Sequence, residues 1–123
     1  MAGAEKILLV EDELRLQKLT RLALKKFGGF EVKACSNGLE ALEAISTFQP
    51  DLILLDVRMP EMDGPTTLIE LRKIETCQST PIIFTTGNIS AEDRQKYFEM
   101  GAVDVIDKPY DPKDLSDKLQ AFF

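Results

Sequence analysis

The stretch Asp51-Leu52-Ile53-Leu54-Leu55-Asp56 is aliphatic throughout except for an acid at each end. A short, unbroken apolar run of this kind suits a strand covered on both faces, as inside a parallel sheet. Lys6-Ile7-Leu8-Leu9-Val10 and Pro81-Ile82-Ile83-Phe84-Thr85-Thr86 repeat the pattern. Phe30-Glu31-Val32-Lys33-Ala34-Cys35 and Val103-Asp104-Val105-Ile106 alternate more, as flanking strands do. The chain therefore reads as strands in search of helices to cover them.

Amphipathic stretches lie between the strands. Leu16, Leu19, Ala23 and Phe27 recur at spacings of three and four, which places them on one helix face. Gly28-Gly29 ends that helix by supplying a left-handed position. A second helix, opened by Asn37 with Glu40 three residues on, carries Ala41, Leu42, Ile45 and Phe48 and closes before Pro50. Pro65 fits the first turn of a third, with Leu68 and Leu71. Ser90 caps a fourth that includes Tyr97 and Phe98. Asp111-Pro112 opens a fifth with Leu115, Leu119 and Phe122. Tyr97, Phe98 and the leucine faces read as core. The closing pair Phe122-Phe123 reads as docked on that core, or as continuing into a further helix of a longer parent. No repeat or linker interrupts the pattern, so residues 1–123 read as one α/β domain. Right-handed crossovers wind its helices on both faces of a parallel sheet.

Composition narrows the function. Hydrophobic residues make up 44% and charged residues 29%, an ordinary globular balance that argues against disorder. The net charge of −6 opposes direct nucleic-acid binding and attachment to an anionic membrane. No apolar run approaches the ~20 residues needed to span a bilayer, and the start of the chain does not read as a signal peptide. Cys35 and Cys77 lack metal-ligand spacing and read as thiols of a reducing compartment, so a cytoplasmic location is expected. Histidine is absent. That excludes Ser-His-Asp and Cys-His catalysis and His-ligated zinc, and any phosphohistidine must sit on another protein.

In sheets of this kind ligands bind outside the carboxyl ends of the strands. The residues there are Glu11 and Asp12 after the first strand, Asp56 at the third, Thr86 at the fourth and Lys108 after the fifth. Three converging carboxylates repel one another unless a cation intervenes, and Mg²⁺ accepts oxygen ligands. Lys108 adds positive charge and Thr86 a hydroxyl donor. Anions for a metal, a carboxylate nucleophile and donors for a transferred group's oxygens together fit phosphoryl transfer. Taken singly, Asp56 is as well explained as a cap on the turn into Met59-Pro60, whereas surface charge for Lys108, beside the turn-fixing Pro109, and plain β-forming for Thr86 are the lesser readings. Their joint occurrence at successive strand ends favours a site.

The chain resembles a bacterial response-regulator receiver domain over essentially its whole length. Val10-Glu11-Asp12-Glu13 resembles that family's acidic pair, which holds Mg²⁺. Leu54-Leu55-Asp56-Val57-Arg58-Met59-Pro60 with Met62-Asp63-Gly64 is similar to its phosphoacceptor strand and loop. Thr86-Gly87 resembles its switch threonine and the small residue after it, and Lys108-Pro109 its lysine and cis-peptide proline. The resemblance implies a flavodoxin-like, doubly wound five-stranded parallel sheet of order 2-1-3-4-5 with five helices, which brings Asp12 near Asp56. It implies Asp56 as phosphoacceptor, with Thr86 and Lys108 binding the phosphoryl group. It implies Mg²⁺ (or Mn²⁺) on Glu11, Asp12, Asp56 and the backbone carbonyl of Arg58. A sensor histidine kinase or histidine phosphotransfer protein is the implied donor, a downstream protein the implied target, and self-phosphorylation and dephosphorylation the sole chemistry.

The chain departs from the family pattern at Val105, where many receivers carry the aromatic half of a threonine–aromatic relay. The usual output mechanism thus has one of its two parts. Pro81-Ile82-Ile83-Phe84-Thr85-Thr86-Gly87 bears a partial likeness to stand-alone receivers that lack the aromatic. Arg58 and Asn88 occupy positions that tune phosphate lifetime in that family, and together they are not the acid or amide pair of fast-hydrolysing members: Asn88 can orient a water, whereas Arg58 can cover the phosphate. Arg58 is expected to shield the acyl phosphate for minutes or longer. A haloacid-dehalogenase-like phosphatase would want an acid where Arg58 stands, and a flavin mononucleotide carrier would not place Glu11-Asp12-Glu13 against a phosphate. The remaining alternative is a pseudo-receiver that binds proteins unphosphorylated, although the usual loss of the aspartate or lysine has not occurred.

Overall fold

The computed structural model describes residues 5–87 and 90–123. Strands β1 (Lys6–Val10), β2 (Glu31–Cys35), β3 (Leu52–Asp56), β4 (Ile82–Thr86) and β5 (Asp104–Asp107) alternate with helices α1 (Leu14–Gly28), α2 (Gly38–Ala44), α3 (Gly64–Arg72), α4 (Ala91–Glu99) and α5 (Pro112–Gln120). A single 3-10 turn, Glu75–Cys77, follows α3 and was not expected. The sheet is wholly parallel in the order β2-β1-β3-β4-β5. This is the flavodoxin-like arrangement expected above. Lys108-Pro109 is a cis peptide.

Parallel strands covered on both faces should be buried at every position, and β3 and β4 are. Their alternate residues feed two cores. Leu8, Val10, Ile53, Leu55, Ile82, Phe84 and Val105 pack with α2 and α3 on one side. Ile7, Leu9, Leu52, Leu54, Ile83 and Ile106 pack with Leu24, Leu115 and Leu119 on the other. The extra acidity at the strand ends therefore lies where both cores stop.

The helix boundaries follow from side chains that satisfy free amides. Asn37, Asp63, Ser90 and Asp111 each accept from an amide of the first turn. Glu40 also reaches back beyond the cap and accepts from the Ser36 amide at 2.9 Å. Gly29, with φ of 68°, closes α1. The cap of α1 is Glu13, whose carboxylate accepts from the amides of Arg15 and Leu16.

Three readings of the core need correction. On α1 the buried residues are Thr20, Ala23 and Leu24, while Leu19 and Phe27 are exposed. Apolar residues occupy more than one side of this helix, so spacing alone picked a face that is only half right. On α4, Tyr97 packs against Phe84 with ring centroids 5.0 Å apart, but Phe98 is exposed. Phe122 and Phe123 are also exposed, although the Phe123 ring lies 5.6 Å from that of Phe30.

Candidate phosphoryl-transfer site

The parallel pairing of β1 with β3 places the residues that follow Val10 beside Asp56. Carboxylate oxygens of Glu11, Asp12 and Asp56 come within 4.8 Å of one another. Glu11 is 1% exposed and Asp56 3%, while Asp12 is exposed. These residues, with Glu13, Arg58, Thr86, Gly87 and Lys108, line an open cleft of about 360 Å³ at the carboxyl edge of the sheet. A second cleft of about 480 Å³, shared through Asp12 and Arg58, continues along Met59, Pro60 and Asp63.

The atoms of the site are held individually. Glu11 Oε2 accepts from the Glu13 amide at 3.0 Å. Asp56 Oδ1 accepts from the Arg58 amide at 3.3 Å. Lys108 Nζ lies 2.7 Å from Glu11 Oε1 and 3.1 Å from Asp56 Oδ2. The ammonium compensates the charge of the buried Glu11 Oε1. Thr86, buried at the end of β4, donates its hydroxyl to the Gly87 carbonyl at 3.2 Å. The backbone between β3 and α3 is pinned by Val57 N–H to Thr85 O at 2.9 Å and Gly64 N–H to Val57 O at 2.8 Å.

The charges do not balance. Burial pushes the Asp56 carboxyl up to about 7, the Glu11 carboxylate adds to that, and Lys108 opposes it. Burial alone would lower the Lys108 ammonium, but Glu11 and Asp56 hold it above its ordinary value. Three carboxylates face one ammonium, so the cluster fits a hard divalent cation by both charge and donor type.

Glu11, Asp12, Asp56, Thr86 and Lys108 are thus gathered at one edge, with the Arg58 side chain exposed at the rim. Val105 is buried in the core beside Phe84 rather than in the cleft. Asn88 lies outside the described residues. One contributor escaped the sequence. The Gln17 amide of α1 donates to the carbonyls of Glu11 at 2.9 Å and Cys35 at 3.1 Å, and lies 3.3 Å from Ser36 Oγ. It ties the ends of β1 and β2 to α1. Its partners are mainly backbone oxygens, which carry no sequence signal.

Residues 7–120 match the model of the response regulator receiver domain. The chain belongs to that family. It is a receiver domain of the two-component signalling type. The chemotaxis protein CheY4 of Vibrio cholerae is similar to this receiver with a TM-score of 0.91 and 30% identity, over 98% of this chain and 100% of the other. The receiver domain of sensor histidine kinase PA1611 from Pseudomonas aeruginosa PAO1 has a TM-score of 0.84 and 31% identity, over 97% of each chain. That protein carries a magnesium ion coordinated in its active site cleft. Among longer proteins, the regulatory protein AtoC of Escherichia coli strain K12 is 37% identical over 118 residues, 94% of this chain and 24% of its own length. The chain spans from about a quarter to about half the length of several such relatives. No helix among the described residues is long and apolar enough to cross a membrane.

Proposed function

We propose that this receiver, acting as one unit over residues 1–123, takes a phosphoryl group on Asp56 from a phosphohistidine of a partner. The partner is a sensor histidine kinase or a histidine phosphotransfer protein. The observation that carries this reading is the enclosed Asp56 carboxylate, flanked by Glu11, Asp12 and Lys108 and open on one side to a cleft.

An Asp56 carboxylate oxygen attacks the phosphorus in line. The new O–P bond forms as the P–N bond breaks, and the departing imidazole nitrogen keeps the bonding pair and takes up a proton from solvent. Lys108 and the Thr86 hydroxyl bind the transferred oxygens. Asp12, Asp56 and the Arg58 carbonyl, with Glu11 acting through water, would hold Mg²⁺ (or Mn²⁺), which supplies positive charge opposite those oxygens. Arg58 covers the acyl phosphate and slows its hydrolysis, and Asn88 stands near enough in sequence to influence the attacking water. The domain catalyses only its own phosphorylation and dephosphorylation.

Binding the phosphoryl group asks Thr86 to give up its bond to Gly87. That movement biases the face made by α4, β5 and α5 toward a form that a downstream protein recognises, with Val105 in place of a rotating aromatic. A near-complete switch needs about 5 kcal/mol of differential binding, within reach of several charge-assisted hydrogen bonds. The domain works in the cytoplasm and contacts neither nucleic acid nor membrane itself.

Incubation with Mg²⁺ and phosphoramidate, followed by intact mass measurement, tests the reading. Wild type is expected to gain one phosphoryl group of about 80 Da, and Asp56→Asn none. No gain by wild type would favour an unphosphorylated binding module instead, and an equal gain by both proteins would place the phosphoryl group on another residue.

A further inference from the structure

The segment that carries Lys108 is fixed by backbone on one side and by a side chain on the other. Ahead of it, the Lys108 N–H donates to the Thr86 carbonyl at 2.8 Å. Behind it, Pro109 has no N–H to give. Among the described residues no backbone hydrogen bond holds positions 109 and 110. The next fixture is Asp111, which caps α5 by accepting from the amides of Lys113 and Asp114. Tyr110 fills the gap. Its hydroxyl and Thr20 Oγ1 share a hydrogen bond of 2.8 Å across 90 positions of sequence.

Both side chains are at least partly withdrawn from solvent. Thr20 is wholly buried, and Tyr110 packs against the cluster that includes Ile7, Leu9, Ile106 and Leu115. Valine and phenylalanine would fill the same shapes without desolvating two polar groups. A buried polar pair instead specifies one registry between the elements that carry it. Burial raises the Tyr110 phenol above its ordinary value and the Thr20 bond lowers it, while charges on Glu11, Lys108 and Asp56 reach it as well.

Helix α1 grips the other half of the site one turn earlier. Gln17, three positions before Thr20 and so on the same side of the helix, holds the Glu11 carbonyl. One helix therefore fixes Glu11 through Gln17 and the Lys108 segment through Thr20.

We propose that Thr20 and Tyr110 are positioning residues for Lys108. Their hydrogen bond clamps the segment after β5 to α1 and holds the ammonium between Glu11 and Asp56, where it meets the transferred phosphoryl group. The proposal rests on the reading of Asp56 as phosphoacceptor. It adds a role for two residues that touch neither metal nor phosphate.

The test compares wild type with Tyr110→Phe, Thr20→Val and Thr20→Ser. For each, the phosphorylation rate from phosphoramidate at saturating donor and Mg²⁺ is measured per folded molecule, and Mg²⁺ affinity is measured separately by calorimetry. Thr20→Val serves where Tyr110→Phe folds poorly. Tyr110→Phe and Thr20→Val are expected to slow the saturated rate about tenfold while leaving Mg²⁺ affinity within about twofold, since misplacing a reacting group costs rate. Thr20→Ser keeps the hydroxyl and should stay near wild type. An unchanged saturated rate in both hydroxyl-deleting variants overturns the proposal, as does a loss matched by equally weakened Mg²⁺ binding. A wild-type protein that accepts no phosphoryl group sinks the phosphoacceptor reading itself, and the positioning role with it.

Discussion

Lys108 Nζ lies 3.1 Å from Asp56 Oδ2, and the carboxylate it approaches is almost entirely enclosed. The ammonium comes from the end of β5 and the carboxylate from the end of β3, with β4 between them. Only a sheet in this order brings them together. The pair is a partial solution to a charge problem, because Glu11 claims the same ammonium at 2.7 Å.

Replacing Lys108 with Met should therefore expose the problem. The two buried acids would lose their cation, and stability at pH 8 without divalent ions should fall by about 3 kcal/mol. Urea unfolding measures this, and added Mg²⁺ should restore part of the loss. Stability equal to that of wild type would mean that water already screens the acids.

The pH dependence has a definite sign. The Asp56 carboxyl titrates near 7 in the folded, metal-free protein against 3.8 as a free group, chiefly from burial and then from Glu11. The folded state thus binds the extra proton, so this group's contribution is fully present below the unfolded value and is lost as pH rises through the folded one. Metal-free wild type should lose stability relative to Asp56→Asn between about pH 4 and pH 7, and the gap should level off above that. Protons and Mg²⁺ compete for the same oxygens, so Mg²⁺ affinity should weaken as pH falls below about 7. A pH-independent difference between the two proteins would contradict the buried charge cluster.

Gly64 stands where the chain leaves the site for α3, and a Cβ there would run into the Asp56 carbonyl oxygen and the Val57 Cα. The obstacle is backbone at the end of β3, which cannot swing aside. Gly64→Ala should cost about 1–3 kcal/mol and slow phosphorylation as well. Thermal unfolding with the same phosphodonor assay checks both, and a variant matching wild type in both would show that the strand end yields.

Arg58 is exposed at the rim of the cleft, two residues beyond Asp56. If its side chain covers the acyl phosphate, Arg58→Asn should shorten the phosphorylated lifetime several-fold without changing the unfolding midpoint. Decay after removal of the phosphodonor measures this. An unchanged decay rate removes the shielding role.

How much of this the sequence carried depended on how local each signal was. Asn37, Ser90 and Asp111 could be read as caps because each acts on an amide two or three residues away. Asp56, Thr86 and Lys108 could be picked out because each stands at or just after a strand end and resembles a family motif. The exposed faces of Leu19, Phe27 and Phe98 could not be read, because helical spacing groups residues without saying which group meets the sheet. Glu13 as cap of α1 was overlooked because glutamate is a less usual residue at that position. Gln17 and the Thr20–Tyr110 pair were hidden for a different reason. Their partners are backbone oxygens or a hydroxyl far along the chain, and only the folded sheet edge brings them within reach.

The central claim is that Asp56 itself carries the phosphoryl group as an acyl phosphate. Reduction with borohydride after treatment with Mg²⁺ and phosphoramidate, followed by peptide mass mapping, reads it directly, since reductive cleavage of an aspartyl phosphate leaves homoserine. The account predicts homoserine at position 56, dependent on Mg²⁺ and absent without the phosphodonor. Phosphorylation mapped to another residue, or position 56 remaining aspartate in protein shown to be phosphorylated, would contradict it.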